Sequence, residues 1–128
     1  MATTSIQPTH MAYLLLISEP RGQRLTRSEA EGQALYARMQ QFGDALRARG
    51  LLRASESLQG DSQAVRVQKR EGQLKLSDGP YAEAKEMIGG FFLLDCDDRA
   101  QAVAIAAECP AAEWATVEVR EVAPCYVG

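Results

Sequence analysis

Residues 12–17 read Ala-Tyr-Leu-Leu-Leu-Ile, an unbroken apolar run that Ser18-Glu19-Pro20 brings to an end. A strand covered on both faces has this pattern, because a strand with one face in water alternates apolar and polar residues instead. A second run of the same kind, Phe-Phe-Leu-Leu, occupies residues 91–94. We therefore predict two central strands in one sheet.

Two helices are predicted from apolar spacing and end signals. The first covers residues 28–49, because a stripe of apolar side chains recurs there at helical spacing and Gly50 follows it. That stripe comprises Leu35, Met39, Phe42 and Leu46. Its capping box is either Thr26 with Glu29 or Ser28 with Glu31. The second helix covers residues 99–108, with Asp97 or Asp98 as N-cap and Pro110 beyond its end.

The remaining segments supply the other strands. Residues 52–58 alternate weakly, residues 64–68 and 73–76 flank an Arg70-Glu71-Gly72 hairpin loop, and residues 115–120 alternate cleanly. The order β-α-β-(hairpin)-β-α-β is that of an α+β, ferredoxin-like split βαβ fold. In this topology the first and third main strands are central, and those positions hold the two apolar runs.

The apolar runs also predict a partner. Two helices cover only one face of a sheet, yet both faces of the central strands read as buried. An identical sheet from a second copy is the simplest cover. We therefore expect a homodimer that forms through the sheet faces.

Composition limits the class of protein. The chain has 128 residues, of which 46% are hydrophobic and 24% are charged. We therefore expect residues 11–128 to form a single domain. Residues 1–10 read as a flexible N-terminal leader without the features of a secretion signal. A net charge of −3 gives no support to a nucleic-acid surface, and no run is long enough to span a membrane. We expect a cytoplasmic protein.

The sequence contains few cysteine and histidine residues that could bind a metal or a cofactor. Cys96, Cys109 and Cys125 are an odd number of cysteines without a CxxC spacing, and the single histidine, His10, lies in the expected leader. A Cys/His metal site or a histidine-activated nucleophile therefore has almost no residues to use. We expect no metal and no cofactor.

Residues 78–86, Asp-Gly-Pro-Tyr-Ala-Glu-Ala-Lys-Glu, contain the candidate site. The segment is longer than the roughly two to five residues of a plain hairpin connection. Asp78 is the catalytic candidate, acting as a general base if burial raises its pKa. The alternative is that Asp78 fixes the turn, although Pro80 has no N–H for it to bond.

The neighbours of Asp78 are candidate ligand-binding residues: Gly79, Pro80, Tyr81, Glu83 and Lys85. Lys85 would hold an anionic group or form an ion pair, and Tyr81 would pack while offering its hydroxyl. A helical segment places Tyr81 and Lys85 on one face, whereas an extended segment adds Glu83 to that side. Both conformations stay open. Arg21 and Arg24, in the loop after the first strand, border the same cavity in this interpretation.

Several segments together resemble the DGPF-domain branch of the YCII-related proteins. These are AYLLLI, DGPYAEAKE, GGFFLLD, CPAA and TVEVREV, and the resemblance covers residues 11–122. Tyr81 stands where this branch usually has Phe. The resemblance implies a dimeric α+β barrel of ferredoxin-like protomers from bacteria. Members are often linked to sigma factors of the extracytoplasmic-function type, and the superfamily includes muconolactone-isomerase-like enzymes.

The resemblance also limits the mechanism. Many YCII proteins are thought to pair a histidine of the first helix with an aspartate near a Gly-Pro turn, and Asp78 matches that aspartate. Residues 28–49 contain no histidine. Two hypotheses follow: a dimeric module that binds a small organic ligand or regulates a partner, and a metal-independent isomerase- or lyase-like enzyme. The enzyme would act on a small organic acid or lactone through Asp78, with Lys85 holding the anion.

Overall fold

The computed structural model describes residues 11–128. The leader expected at residues 1–10, with His10, lies outside the described residues. The elements are strands β1 Met11–Pro20, β2 Leu52–Ser57, β3 Val65–Arg70, β4 Gln73–Asp78, β5 Glu86–Cys96 and β6 Thr116–Glu121, with helices α1 Glu29–Ala48 and α2 Arg99–Glu108. Short 3-10 turns occupy Gln23–Thr26, Asp61–Gln63 and Pro110–Glu113.

The main sheet has the strand order β2-β5-β1-β6, and all its pairs are antiparallel. The strands β1 and β5, which hold the two apolar runs, are central as predicted. Strands β3 and β4 form a separate two-stranded hairpin. The α+β, ferredoxin-like split βαβ fold with an extra hairpin is therefore confirmed.

Side-chain caps decide where the helices begin. The Ser28 hydroxyl accepts from the Glu31 N–H, and the Glu31 carboxylate accepts from the Ser28 N–H at 2.7 Å, which completes a capping box. Thr26 takes no part in it and donates to the Gln23 carbonyl instead. For α2, the Asp98 carboxylate accepts from the Gln101 N–H at 2.9 Å.

The hydrophobic core lies between the helices and one face of the sheet. Alternate residues of β1 and β5 point into it, together with Leu46 of α1 and Ile105 of α2. The strand residues are Tyr13, Leu15, Ile17, Phe92, Leu94 and Cys96. Ala102, Ile105 and Ala106 of α2 are buried, whereas Val103 on another side of this helix is exposed.

The opposite face of the sheet also carries large apolar side chains. Leu14 and Leu16 of β1 and Phe91 and Leu93 of β5 are half-buried there. We call these four residues the open face. None of the helices between residues 11 and 128 is both long and apolar enough to cross a membrane.

The β3–β4 hairpin has one apolar side of its own. Val67 faces Leu76 across the hairpin, and these side chains are 63% and 59% exposed. The loop is shorter than predicted, because Arg70 pairs with Gln73 and only Glu71 and Gly72 turn the chain. Both turn residues have positive φ, 53° and 75°, which suits a two-residue turn.

Candidate functional site

Helix α1 packs against the sheet through its C-terminal half. Gly43 and Leu46 are its buried residues. A Cβ atom at Gly43 would lie 3.4 Å from the Phe92 ring, so helix and sheet meet there. Nearer the N-terminus a Cβ atom at Gly32 would have no neighbour within 4 Å. The helix and the sheet border a cavity of about 690 Å³ in this region, which is open to solvent on one side.

The cavity wall combines apolar and hydroxyl-bearing side chains. Leu35, Met39, Phe92 and Trp114 are among its apolar members. The polar lining includes the side chains of Ser28, Tyr36, Gln40, Ser55 and Ser57. This volume and this mixture are typical of pockets that bind small organic molecules.

An ion pair lies beside the cavity, between the end of β1 and the first 3-10 turn. Arg24 Nε donates to Glu19 Oε1 at 2.5 Å, and Arg24 Nη1 donates to the Leu58 carbonyl at 2.8 Å. The Glu19 side chain is buried, and a Cβ atom at Gly89 would overlap its Oε2 at 2.2 Å. The pair therefore depends on a residue without a side chain at position 89, and it ties β1 to the segment after β2.

Trp114 forms another part of the wall and has two guanidinium groups near its ring. The Cζ atoms of Arg27 and Arg38 lie 5.9 Å and 5.5 Å from the ring centroid. Arg38 is held by two hydrogen bonds to the Glu113 carboxylate, of 3.2 Å and 2.7 Å. Arg27 makes no ion pair with any carboxylate of residues 11–128.

The predicted catalytic residue, Asp78, lies away from this cavity. It ends β4, opposite Val65, and its side chain is exposed. Within residues 11–128 its carboxylate has no hydrogen-bond partner, and it lines neither of the two cavities described in this subsection. A catalytic role for Asp78 stays a prediction.

Gly79, which follows Asp78, holds the backbone of the loop against the turn at Asp61–Gln63. The Gly79 N–H donates to the Ala64 carbonyl at 2.8 Å. A Cβ atom at position 79 would lie only 1.8 Å from the Asp61 carbonyl oxygen, so this contact requires glycine. The peptide bond between Gly79 and Pro80 is cis.

Tyr81 packs inside the loop. Its ring is buried beneath the Arg66 guanidinium, whose Cζ lies 3.6 Å from the ring centroid, and its hydroxyl donates to the Ser77 carbonyl at 3.0 Å. Its backbone N–H binds the Asp61 carboxylate. The Arg21 guanidinium holds the pKa of Asp61 below its usual range, and the Tyr81 N–H makes a smaller contribution in the same direction.

Glu83 and Lys85 are exposed. Arg66 Nη1 lies 2.7 Å from Glu83 Oε1, and this hydrogen bond lowers the pKa of Glu83. The Lys85 carbonyl accepts from the Arg21 N–H at 3.0 Å, but its ammonium has no carboxylate partner within residues 11–128. The segment is neither a helix nor a strand; an Ala84 N–H to Tyr81 carbonyl hydrogen bond makes a single turn.

The loop borders a second, smaller cavity. This space of about 360 Å³ is lined by Tyr81 and Ala84 together with Met87 and Ile88 of β5. Of the candidate ligand-binding residues, only Tyr81 contributes to it. Arg21 and Arg24 do not share one cavity, because Arg21 binds Asp61 beside the loop whereas Arg24 lines the larger space.

The larger cavity is the part of the molecule that sequence reasoning missed. Leu35 and Met39 belong to the apolar stripe predicted for α1 and line the cavity, although Met39 also packs against the core. The available signal was Gly32 and Gly43, two glycines on the same helical face as that stripe. Glycine inside a helix is unfavourable, so its presence on an apolar face indicates a special packing requirement.

Sulfur and acidic side chains do not form a metal centre in the described part of the chain. Between residues 11 and 128 no group of three or more His, Cys, Asp and Glu side chains is placed to hold a metal ion. Cys96 and Cys109 are buried free thiols, and burial raises the pKa of both.

Comparison with known proteins identifies the family. No curated protein matches this chain. The family model of the YCII-related domain matches residues 5–125, which is nearly the whole sequence. The ferredoxin-like fold and the resemblance in the segment after β4 agree with this match. The chain therefore belongs to the YCII-related domain family.

Proposed function

We propose that this YCII-related chain is a small-ligand-binding module and that the cavity between α1 and the sheet is its binding site. The observation that carries the proposal is the cavity of about 690 Å³. Its size falls within the roughly 300–1,000 Å³ of small-molecule pockets. Its apolar wall suits an organic body, and the hydroxyl groups of Ser55, Ser57 and Tyr36 offer hydrogen bonds that would orient it.

Acid–base catalysis at Asp78 gains no support from this geometry. The carboxylate is exposed and lies outside the cavity. A general base must reach the proton that it removes, within hydrogen-bond distance or through one water. The segment from Gly79 to Tyr81 is engaged in contacts that hold its own turn. We therefore propose that the module binds a small ligand to regulate a partner and that it does not catalyse a reaction.

The proposed module is a homodimer formed through the open face. Leu14, Leu16, Phe91 and Leu93 place four large apolar side chains on the side of the sheet opposite the helices. A contiguous apolar patch of this kind favours association with another protein surface. A second copy supplies a surface of the same shape and chemistry, and two-fold dimers are the commonest oligomers.

The proposal extends to the branch of the family and to the cell compartment. Asp78-Gly79-Pro80-Tyr81 supports the DGPF branch, since the hydroxyl of Tyr81 is its only departure from that motif. All three cysteines are free thiols, which persist in a reducing compartment. We place the module in the bacterial cytoplasm.

A cavity-filling variant tests the proposed site. Gly32→Phe introduces a ring into the cavity at a position with no neighbour within 4 Å, so the helix accommodates it. Ala34→Phe is the matched control, because Ala34 is exposed on α1 and does not line the cavity. A panel of small aromatic and aliphatic acids, alcohols and lactones is screened for an increase in the melting temperature.

The proposal predicts that hits stabilise the wild type and Ala34→Phe but not Gly32→Phe. Asp78→Asn should leave the stabilisation unchanged. Hits that survive Gly32→Phe and disappear in Asp78→Asn would move the site to the loop and contradict the proposal. The absence of any hit from the whole panel would also contradict it.

A further inference from the structure

We propose that the ligand is a small organic anion whose charged group binds to the Arg27 guanidinium and whose apolar part lies against Leu35, Met39 and Phe92. This inference rests on the proposed function, since it names the chemical class that the same cavity accepts. It follows from how the charged side chains around the cavity are paired and from where they point.

Seven charged residues border the cavity: Glu19, Arg24, Arg27, Glu29, Asp44, Arg47 and Glu56. Four of them neutralise one another in two ion pairs. Arg24 binds Glu19, and Arg47 Nη1 lies 3.3 Å from Asp44 Oδ1. These pairs leave Arg27, Glu29 and Glu56.

Glu56 points away from the cavity, and the Glu29 carboxylate at its border is bonded to another side chain. In the sheet Glu56 pairs with Phe91, whereas its neighbour Ser55 pairs with Phe92. Because successive side chains of a strand point to opposite faces, the Glu56 side chain lies on the same side as the open face. The Glu29 carboxylate accepts from the Gln33 amide at 3.4 Å, and Gln33 does not line the cavity. Among the described residues that line the cavity, Arg27 is therefore the arginine whose side chain has no carboxylate partner, and it is the cation that a ligand can bind.

The surroundings of Arg27 leave its donors available. The distance of 5.9 Å from the Trp114 ring centroid is near the outer limit of a cation–π contact. Glu31 interacts electrostatically with Arg27, but its carboxylate is already bonded to the Ser28 N–H at 2.7 Å. A guanidinium binds a carboxylate or sulfonate through two parallel hydrogen bonds, which is its preferred recognition geometry.

The apolar requirement comes from α1. Leu35 and Met39 are half-buried on the helix, and Phe92 is the facing residue of the sheet. The Phe92 ring is already buried, so a ligand that bound to Arg27 alone would leave Leu35 and Met39 partly in water. A molecule with an apolar body covers them as it binds, which adds a favourable hydrophobic contribution.

Two dyes with the same body separate the charge from the apolar contact. Anilinonaphthalene sulfonate is anionic, and N-phenylnaphthylamine is its neutral counterpart without the sulfonate. Both are titrated into the wild type, Arg27→Gln, Arg27→Lys, Gly32→Phe and the control Arg99→Gln, whose side chain is exposed at the start of α2. Dye emission and the fluorescence of Trp114, the single tryptophan of the chain, report binding.

The inference predicts that the sulfonate dye binds roughly tenfold or more tightly than the neutral dye, the value of a charge-assisted hydrogen bond. Arg27→Gln should abolish this preference, Arg27→Lys should keep part of it, and Arg99→Gln should change nothing. Gly32→Phe should weaken both dyes. If the two dyes bind with equal affinity, and if Gly32→Phe but not Arg27→Gln weakens that binding, the ligand is not an anion held by Arg27. The proposed function would then remain intact. Binding that Gly32→Phe does not affect would overturn both this inference and the proposed function.

Discussion

Arg24 and Glu19 form a short ion pair, 2.5 Å from Nε to Oε1, on the border of the cavity between α1 and the sheet. Glu19 is only 7% exposed. The same guanidinium binds the Leu58 carbonyl, so one side chain holds β1 and the segment after β2 together. Gly89 leaves the space that the carboxylate occupies.

Removing Arg24 should destabilise the fold because it leaves a buried carboxylate without its partner. We expect Arg24→Met to lower the free energy of unfolding by about 2–3 kcal/mol, since loss of one member of a fully buried pair costs about 3–5 kcal/mol and Arg24 is partly exposed. Urea unfolding measures the change. The double variant Glu19→Gln/Arg24→Met should recover part of the loss. Arg47→Met, which breaks the exposed pair with Asp44, serves as the control and should have little effect. Equal losses for Arg24→Met and Arg47→Met would show that burial of Glu19 does not matter.

The Asp-Gly-Pro turn requires glycine at position 79. A Cβ atom there would overlap the Asp61 carbonyl oxygen, which belongs to the backbone and has no rotamer to change. We expect Gly79→Ala to destabilise the protein by about 3 kcal/mol, at the upper end of overpacking costs. Gly60→Ala is the matched control, since its new atom would lie 3.7 Å from the flexible end of Met87. Thermal unfolding of both variants decides the question, and similar melting temperatures would refute the close contact.

The Arg21–Asp61 pair makes a pH-dependent contribution to stability. Because the folded-state pKa of Asp61 lies below the ordinary value of 3.8, the ionised form is favoured in the folded protein. The contribution is therefore complete above pH 3.8 and disappears as the pH falls through the lower folded-state value.

Asp61→Asn should accordingly be less stable than the wild type near neutral pH, and the difference should shrink as the pH falls below 3.8. Arg21→Gln should show the same narrowing, because it removes the main cause of the shift. Unfolding by urea over a series of pH values measures both. A difference from the wild type that is constant at every pH would contradict this account.

The open face predicts the oligomeric state. Light scattering on the wild type should give twice the chain mass of 14.0 kDa. Leu16→Glu should give the monomer mass, since it places a charge in the middle of the apolar patch. Leu25→Glu makes the same change at a side chain that is 90% exposed outside the patch, and it should leave the dimer intact. A wild-type monomer at micromolar concentrations would contradict the proposed homodimer.

Much of the fold follows from periodicity, which the sequence displays directly. The apolar runs at residues 12–17 and 91–94 identify the central strands, because a strand with one solvated face would alternate. Ser28 with Glu31 and Asp98 with Gln101 then set the helix starts through local hydrogen bonds. The choices that sequence left open, Thr26 or Ser28 and Asp97 or Asp98, depend on backbone angles that composition does not reveal.

The candidate site was harder to predict because it depends on how elements pack. The stripe Leu35, Met39, Phe42 and Leu46 looks uniform in the sequence. In the fold Leu46 is buried in the core and Phe42 and Met39 pack against it, whereas Leu35 and one side of Met39 border the cavity. The charged residues at 78–86 predicted a site in this loop. In the fold the Tyr81 and Glu83 side chains bind mainly to neighbouring residues.

Amide chemical-shift mapping by NMR, with anilinonaphthalene sulfonate and then N-phenylnaphthylamine as the probe, tests the central claim that the cavity between α1 and the sheet is the binding site. The account predicts that the largest shifts on dye addition occur at the amides of Gly32, Gly43, Ser55 and Gly90, which surround the cavity. It also predicts that the amides of residues 78–85 change little. Large shifts confined to residues 78–85, with the α1 amides unmoved, would contradict the claim and return the site to the Asp-Gly-Pro loop.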